Sequence, residues 1–180
     1  MSFPGSGGSI TVDEVRLFNG SGQRYDWKIV GKREMYIPYN AYRLHSPQLK
    51  YADLLTPGHI NPDAMRYERH RVWELEGTLK PGYRHLYGKR KLYIDEDTWF
   101  PMLADNYDNR GELWRTSMVN YFYAYESQNQ QAGVGLYHDL NAGSYLAFNL
   151  INEQRNGYQL NKPGFSPKDF GPEAARRFGQ

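Results

Sequence analysis

The sequence predicts a mainly β fold whose centre is an antiparallel meander, and three observations carry that prediction. Apolar or aromatic residues alternate with charged ones through "RYDWKIVGKREMYI" and "MRYERHRVWELEGTL", the period of a pleated strand. Turn-forming groups at Pro81-Gly82, Asp95–Thr98 and Asp108–Gly111 then divide the centre at short intervals. Helical patterning is confined to a turn or two near Gln48–Leu55 and to "PEAARRF", which is too short to be stable alone.

Composition supports a packed domain. The chain has 180 residues, 39% hydrophobic and 23% charged, with a formal net charge of +2, enough for one domain with a real core. Its 16 tyrosines bury rings while keeping a polar tip, which adds to the capacity for burial. Lack of cysteine excludes disulfides, thiolate metal sites and Cys nucleophiles. No apolar run approaches the roughly 20 residues of a spanning helix. The start, MSFPGSGGS, shows no basic segment followed by an apolar one, so no signal peptide is expected in it. Near-balanced charge gives no general argument for nucleic acid as a partner.

Taken in order, residues 1–11 read as a flexible N-terminal segment, 12–152 as the sheet domain and 153–180 as an irregular C-terminal tail. Val12 to Phe18 is expected to form a short strand before an NGSGQ turn. The 25–37 stretch reads as strand with a break at Gly31, and Pro38 disfavours a central ladder position. Residues 40–65, with three prolines and no clean period, form a long excursion of the kind that covers something. If Lys80 faces Tyr83 across Pro81-Gly82, Glu74 lies opposite Lys89 and Trp73 opposite Arg90. Pairing Ile94 with Trp99 across DEDT sets Tyr93 against Phe100, but also Lys91 against Met102 and Leu92 against Pro101. A bulge near Pro101 or a strongly curved sheet would repair that mismatch. Gly133 to Tyr137 and Ser144 to Leu150 supply two further strands.

Chemical motifs are sparse. DEDT and DNRG invite a calcium reading, but an EF-hand loop fails at both: counting from Asp105 the sixth residue is Arg110, and counting from Asp95 the fifth is Trp99. DEDT is better read as a hairpin connection in which Asp95 and Thr98 cap backbone N–H groups, and DNRG as a type I turn from Asp108 to Gly111. The five histidines show no HExxH spacing, and no GxSxG, GxGxxG or Walker sequence occurs. Glu74 and Glu76 share a strand face beside a lysine, which lowers rather than raises a carboxylate pKa and argues against acid–base catalysis. Neither enzymatic activity, nor a cofactor, nor a metal is expected. Basic residues interleaved with aromatics from Arg66 to Tyr93 resemble a nucleic-acid platform, yet Glu68, Glu74 and Glu76 offset the charge. Arg66, Arg69 and Arg71 suit an anionic lipid headgroup as well. A sheet with bulky apolar residues on one face must be covered, dimerise, or enclose an apolar ligand.

Two segments, "FNGSGQRYDWKIVGKREMYIPYNAYRL" and "GHINPDAMRYERHRVWELEGTLKPGYRHLYGKRKLYIDEDTWFPMLADNYDNRGELWR", closely resemble the C-terminal half of a widespread bacterial family of unknown function. Its members are described as outer-membrane lipoprotein-sorting proteins. The resemblance spans about residues 12 to 150. It implies a LolA/LolB-like fold, a strongly curved antiparallel half-barrel closed by helices around an apolar cavity and incomplete in this chain. It also implies an exported protein at the periplasm or the periplasmic face of the outer membrane. On that basis Tyr42, Leu44, Leu54 and Leu55 are candidates for a lid or inner wall. Trp73, Trp99, Phe100, Met102, Leu103 and Trp114 are candidates for the cavity wall itself. Expected partners are a lipid or other hydrophobic molecule, an envelope transporter, the missing N-terminal half, or a second copy in a homodimer. The expected function is non-enzymatic binding or carriage of that ligand, with a structural or assembly role beside a transporter as the alternative.

Overall fold

The computed structural model describes residues 2–161 and 163–179. Seven strands form one antiparallel sheet in sequence order. They are β1 (Tyr25–Pro38), β2 (Tyr67–Leu79), β3 (Lys89–Asp95), β4 (Pro101–Tyr107), β5 (Leu113–Ala124), β6 (Asn129–Asp139) and β7 (Ser144–Phe148). The only α-helices among the described residues are α1 (Tyr51–Leu54) and α2 (Pro172–Phe178). Neither is long and apolar enough to cross a membrane.

The sheet is strongly curved and open. The end of β1 reaches β5, where Asn40 N donates to Tyr121 O (2.9 Å) and Tyr39 bridges Tyr121. In a flat sheet those strands would lie four spacings apart, about 19 Å. Bulges at Val30, at Met102 and at Asn120 supply local bending. The bulge at Met102 lies beside Pro101, where the simple register fails, so the structure combines both expected repairs.

Two expectations about local structure are corrected. Val12–Phe18 is not a strand: Val12–Glu14 is a 3-10 turn, and Arg16 and Leu17 take φ of 56° and 75°. That path lets Glu14 and Leu17 point into the sheet, where both are 1% exposed. The second correction is the β2–β3 register. The Pro81-Gly82 turn forms, with Tyr83 N donating to Lys80 O (3.2 Å) and Gly82 at φ 87°. The ladder nevertheless resumes only at Lys89, so Trp73 pairs with Ile94 and Glu74 with Tyr93. Residues 83–88 leave the ladder because His85 and Tyr87 turn inward to buried polar partners. The four-residue shift is even, so the faces keep their identity. Glu74 still finds a lysine, Lys91, at 2.7 Å.

One face carries a polar row across the strands: Gly77, Arg90, Asn106, Arg115 and Asp139 are successive cross-strand partners. Segment 2–24 lies on this row. Arg90, fully buried, donates to Asn106 Oδ1 (2.9 Å), Asp13 Oδ2 (3.1 Å) and Leu17 O (2.9 Å). Arg115 donates to Asp139 Oδ2 (3.0 Å), Tyr87 Oη (3.0 Å) and Gly8 O (2.9 Å). Residues within the 1–11 segment pack here too, since Ile10 is fully buried and Phe3 meets Phe148 edge-on at 5.7 Å. Excursion 40–65 covers the opposite face over β5–β7. Ala41, Leu44, Leu54, Ile60 and Ala64 cluster with Val134 and Leu136, joined by Met118, Tyr145 and Ala147.

Candidate functional site

The structure separates the proposed lid and wall residues. Leu44, Leu54 and Met102 are fully buried in the packed cores and face no open space. Leu103 packs half-buried against the core, and half-buried Trp114 donates to Asp139 (3.1 Å) beside the polar row. Exposed Trp99 and Phe100 and half-buried Trp73 form a ledge at one end of the sheet. Trp73 and Trp99 stack with centroids 6.4 Å apart, Lys32 sits 4.2 Å over Trp73, and Phe100 stacks on Tyr121 at 4.8 Å. Trp99 is 67% exposed at φ 61°, an uncommon conformation for so bulky a side chain. Leu55 stands exposed on the excursion, away from these contacts.

Arg66, Arg69 and Arg71 are each more than half exposed, and each already has an acid. Arg66 pairs with Glu68, Arg69 with Glu34 (3.6 Å) and Arg71 with Glu96 (2.9 Å). An anionic group would therefore displace an existing partner at any of them. The turns behave as expected. Asp95 Oδ2 accepts from Thr98 N (3.0 Å) and Thr98 Oγ1 (2.7 Å). Asp108 Oδ1 accepts from Arg110 N (2.8 Å) and Glu112 N (3.0 Å), closing on Gly111.

The remaining lid candidate, Tyr42, lines a mainly apolar groove. This groove encloses about 420 Å³ between the excursion (Tyr42, His45, Pro47), β5 (Phe122) and residues 151–158 of the tail. Its aromatic wall is continuous: His45 packs on Phe122 at 4.9 Å, Phe122 on Tyr158 at 5.4 Å, and Tyr42 on Phe122 at 6.0 Å. Tyr42 is held by its hydroxyl, which donates to Tyr123 O (2.8 Å). His45 nests against Gly133, where an added Cβ would collide with the imidazole. Gln154 and Arg155 stand at the rim.

Two buried polar atoms beside this groove lack partners. Burial lowers the His45 pKa to about 4, so the ring is neutral at neutral pH. Asn120 Oδ1 accepts from Ala41 N (3.4 Å), which directs Asn120 Nδ2 to donate to His45 Nε2 (3.1 Å). The ring proton then sits on Nδ1, a donor without an acceptor. Asn152 spends its Nδ2 on Leu44 O (3.1 Å) and Ser46 O (2.9 Å), leaving Oδ1 unpartnered. Each orphan costs about 1–3 kcal/mol until a water or ligand group meets it.

Sequence reading missed His45, Phe122, Asn152 and Tyr158. The last two fall in a turn-rich stretch with no strand or helix period, so nothing in the pattern aims them at β5. The signal that could have found part of this set is Tyr158, a lone aromatic in the polar stretch NGYQLN.

An open, strongly curved seven-stranded antiparallel sheet, covered by irregular segments and carrying an aromatic groove, defines the class of this protein. Within that class the chain belongs to the family described as protein of unknown function (DUF1329), whose model matches residues 2–176. It is 45% identical over 183 aligned residues to the uncharacterized protein PA3922 of Pseudomonas aeruginosa, covering 99% of this chain and 40% of that protein. The chain thus spans less than half the length of this relative. Two solved structures are similar at low sequence identity. One is a DUF1329 family protein from Desulfovibrio piger (16% identical, TM-score 0.49, 92% of this chain and 52% of that one). The other is a domain named for a proposed outer membrane lipoprotein-sorting role, from Vibrio parahaemolyticus (14% identical, TM-score 0.45, 89% and 52%).

Proposed function

We propose that this chain is a non-enzymatic envelope protein that binds a lipid or another hydrophobic molecule in the groove of Tyr42, His45, Phe122 and Tyr158. The observation that carries the reading is the groove itself. Its volume of about 420 Å³ falls inside the roughly 300–1,000 Å³ typical of small-ligand sites, and its wall is aromatic with a few polar groups. An apolar body would lie on the rings while a polar head meets Arg155 and Gln154 at the rim. His45 and Asn152 leave a neutral donor and an acceptor close by for a hydroxyl, ester or bridging water. The envelope location rests on the family resemblance. The test is titration of the purified chain with a fluorescent fatty acid. Saturable one-to-one binding, weakened at least about tenfold by Tyr158→Ala, is expected; binding that ignores that substitution counts against the groove.

One observation favours an assembly role beside this one. The outer edge of β1 runs from Tyr25 to Pro38 without a neighbouring strand among the described residues, and Ile29, Val30 and Tyr36 on it are 64%, 49% and 69% exposed. Such an edge can accept a strand from a partner, although Lys28, Lys32, Arg33 and the bulge at Val30 make casual pairing unfavourable.

A further inference from the structure

At the opposite side of the β2 strand from the Trp73 ledge, the DEDT turn meets a histidine. We infer that His70 Nδ1, Asp95 Oδ1 and Asp97 Oδ2 form a site for a divalent transition-metal ion such as zinc. One ligand atom from each of the three residues lies within 4.8 Å of the others, and His70 Nδ1 stands 2.9 Å from Asp95 Oδ1 and 3.5 Å from Asp97 Oδ2. Ligands bonded at about 2.0–2.2 Å around a tetrahedral ion stand about 3.4 Å apart, so little movement is needed to receive one.

Three further features suit a metal. The first is the far side of the imidazole: Nε2 faces Glu68 Oε2 at 3.6 Å. Without an ion, Nδ1–H donates to Asp95 Oδ1 (2.9 Å); a metal would take that proton's place on Nδ1, and the ring proton would then sit on Nε2, towards Glu68. A carboxylate behind a ligating histidine is the usual device for fixing that tautomer. Rigidity is the second: Asp95 is fully buried and fixed by Thr98, and Tyr39 packs on the imidazole with centroids 4.4 Å apart. The third is local charge. Nearby Glu96, Glu34 and Glu68 are matched by Arg71 and Lys32, Arg69, and Arg66, whereas among the described residues Asp95 and Asp97 have only His70 as an ion-pair partner. Asp97 is 75% exposed and opens onto a polar groove of about 250 Å³, which leaves a coordination position for water. A nitrogen ligand beside two carboxylates favours zinc or manganese over calcium and magnesium.

Isothermal titration of the purified, chelator-treated chain with zinc chloride is the test. One ion per chain is expected, with affinity falling at least about tenfold in both Asp97→Ala and His70→Gln. Magnesium chloride should give no saturable heat. Because Asp97 is exposed, Asp97→Ala should keep the parent's circular dichroism and thermal midpoint, separating lost ligation from lost folding. Glu112→Gln, an exposed acid elsewhere, should bind as the parent does. Absence of saturable zinc binding, or binding unchanged in Asp97→Ala, would overturn the inference. Neither result bears on the fatty-acid titration, which reads a different groove.

Discussion

One sheet is covered in two different ways. Segment 2–24 is anchored on its face by buried guanidinium groups, Arg90 to Asp13 and the Leu17 carbonyl and Arg115 to the Gly8 carbonyl, beside the apolar contacts of Ile10 and Leu17. Excursion 40–65 is held on the other through aliphatic contacts of Leu44, Leu54 and Ile60 with Val134 and Leu136. The difference teaches that an irregular covering needs no regular secondary structure if its few anchors are specific. Guanidinium groups fix where a Gly-rich path must lie, because each of their N–H directions demands a partner. Apolar contact only requires that area be buried, and it tolerates variation in path.

The sharpest way to break the comparison is Arg90→Met. Removing the guanidinium leaves Asp13 with only His85 and Thr11 and strips Asn106 Oδ1 and Leu17 O of a buried donor, so a loss of about 3–5 kcal/mol in urea denaturation is expected. The double variant with Asp13→Asn should recover part of that loss, since both halves of the pair are then gone. Leu54→Ala attacks the other covering and should cost about 2–4 kcal/mol through lost burial and a cavity.

Acid separates the two coverings further. Burial pushes the Asp13 carboxyl up, but hydrogen bonds from His85 and Thr11 and the charge of Arg90 outweigh it and hold the pKa well below the ordinary carboxylate value. A depressed native pKa means that the unfolded chain binds the proton more readily, so stability rises with pH through this window. The contribution is complete above about pH 4 and is lost as pH falls below it. Denaturation midpoints measured from pH 6 down to pH 2 should therefore fall for the parent and for Leu54→Ala. The fall should be shallower for Asp13→Asn, with Asp139, also depressed, supplying what remains. The smallest effect is expected at Trp99→Gly. Relief of the positive φ offsets loss of the stack on Trp73, and stability should change by less than about 1 kcal/mol.

Much of the fold was legible because alternation marks strands directly. The β1 and β2 stretches, the Pro81-Gly82 turn and the DNRG turn all appear where pattern and turn chemistry put them. Register was not legible, because residues 83–88 carry ordinary strand composition and leave the ladder only to satisfy Asp13 and Arg115, which lie far away in sequence. The same hidden shift concealed the metal-like cluster: the simple hairpin sets His70 opposite Tyr93, whereas the actual ladder carries it to the level of Asp95 and Asp97. Curvature was suggested by the clash at Pro101, but its extent depends on the contact of Asn40 with Tyr121, which no local pattern encodes. The large apolar residues expected to line the wall or lid separated by position. Met102 went to the core, Trp99 to the surface, and Tyr42 alone joined the groove. The groove's other walls come from the tail, whose path follows from tertiary contact rather than periodicity.

The central claim is that the Tyr42–His45–Phe122–Tyr158 groove receives an apolar ligand. The most direct measurement is fluorescent fatty-acid titration of the parent chain beside Tyr158→Ala and Trp99→Gly. The account predicts saturable binding at one site per chain, weakened at least about tenfold by Tyr158→Ala and unchanged by Trp99→Gly. Binding abolished by Trp99→Gly but indifferent to Tyr158→Ala would contradict it and move the site to the exposed ledge.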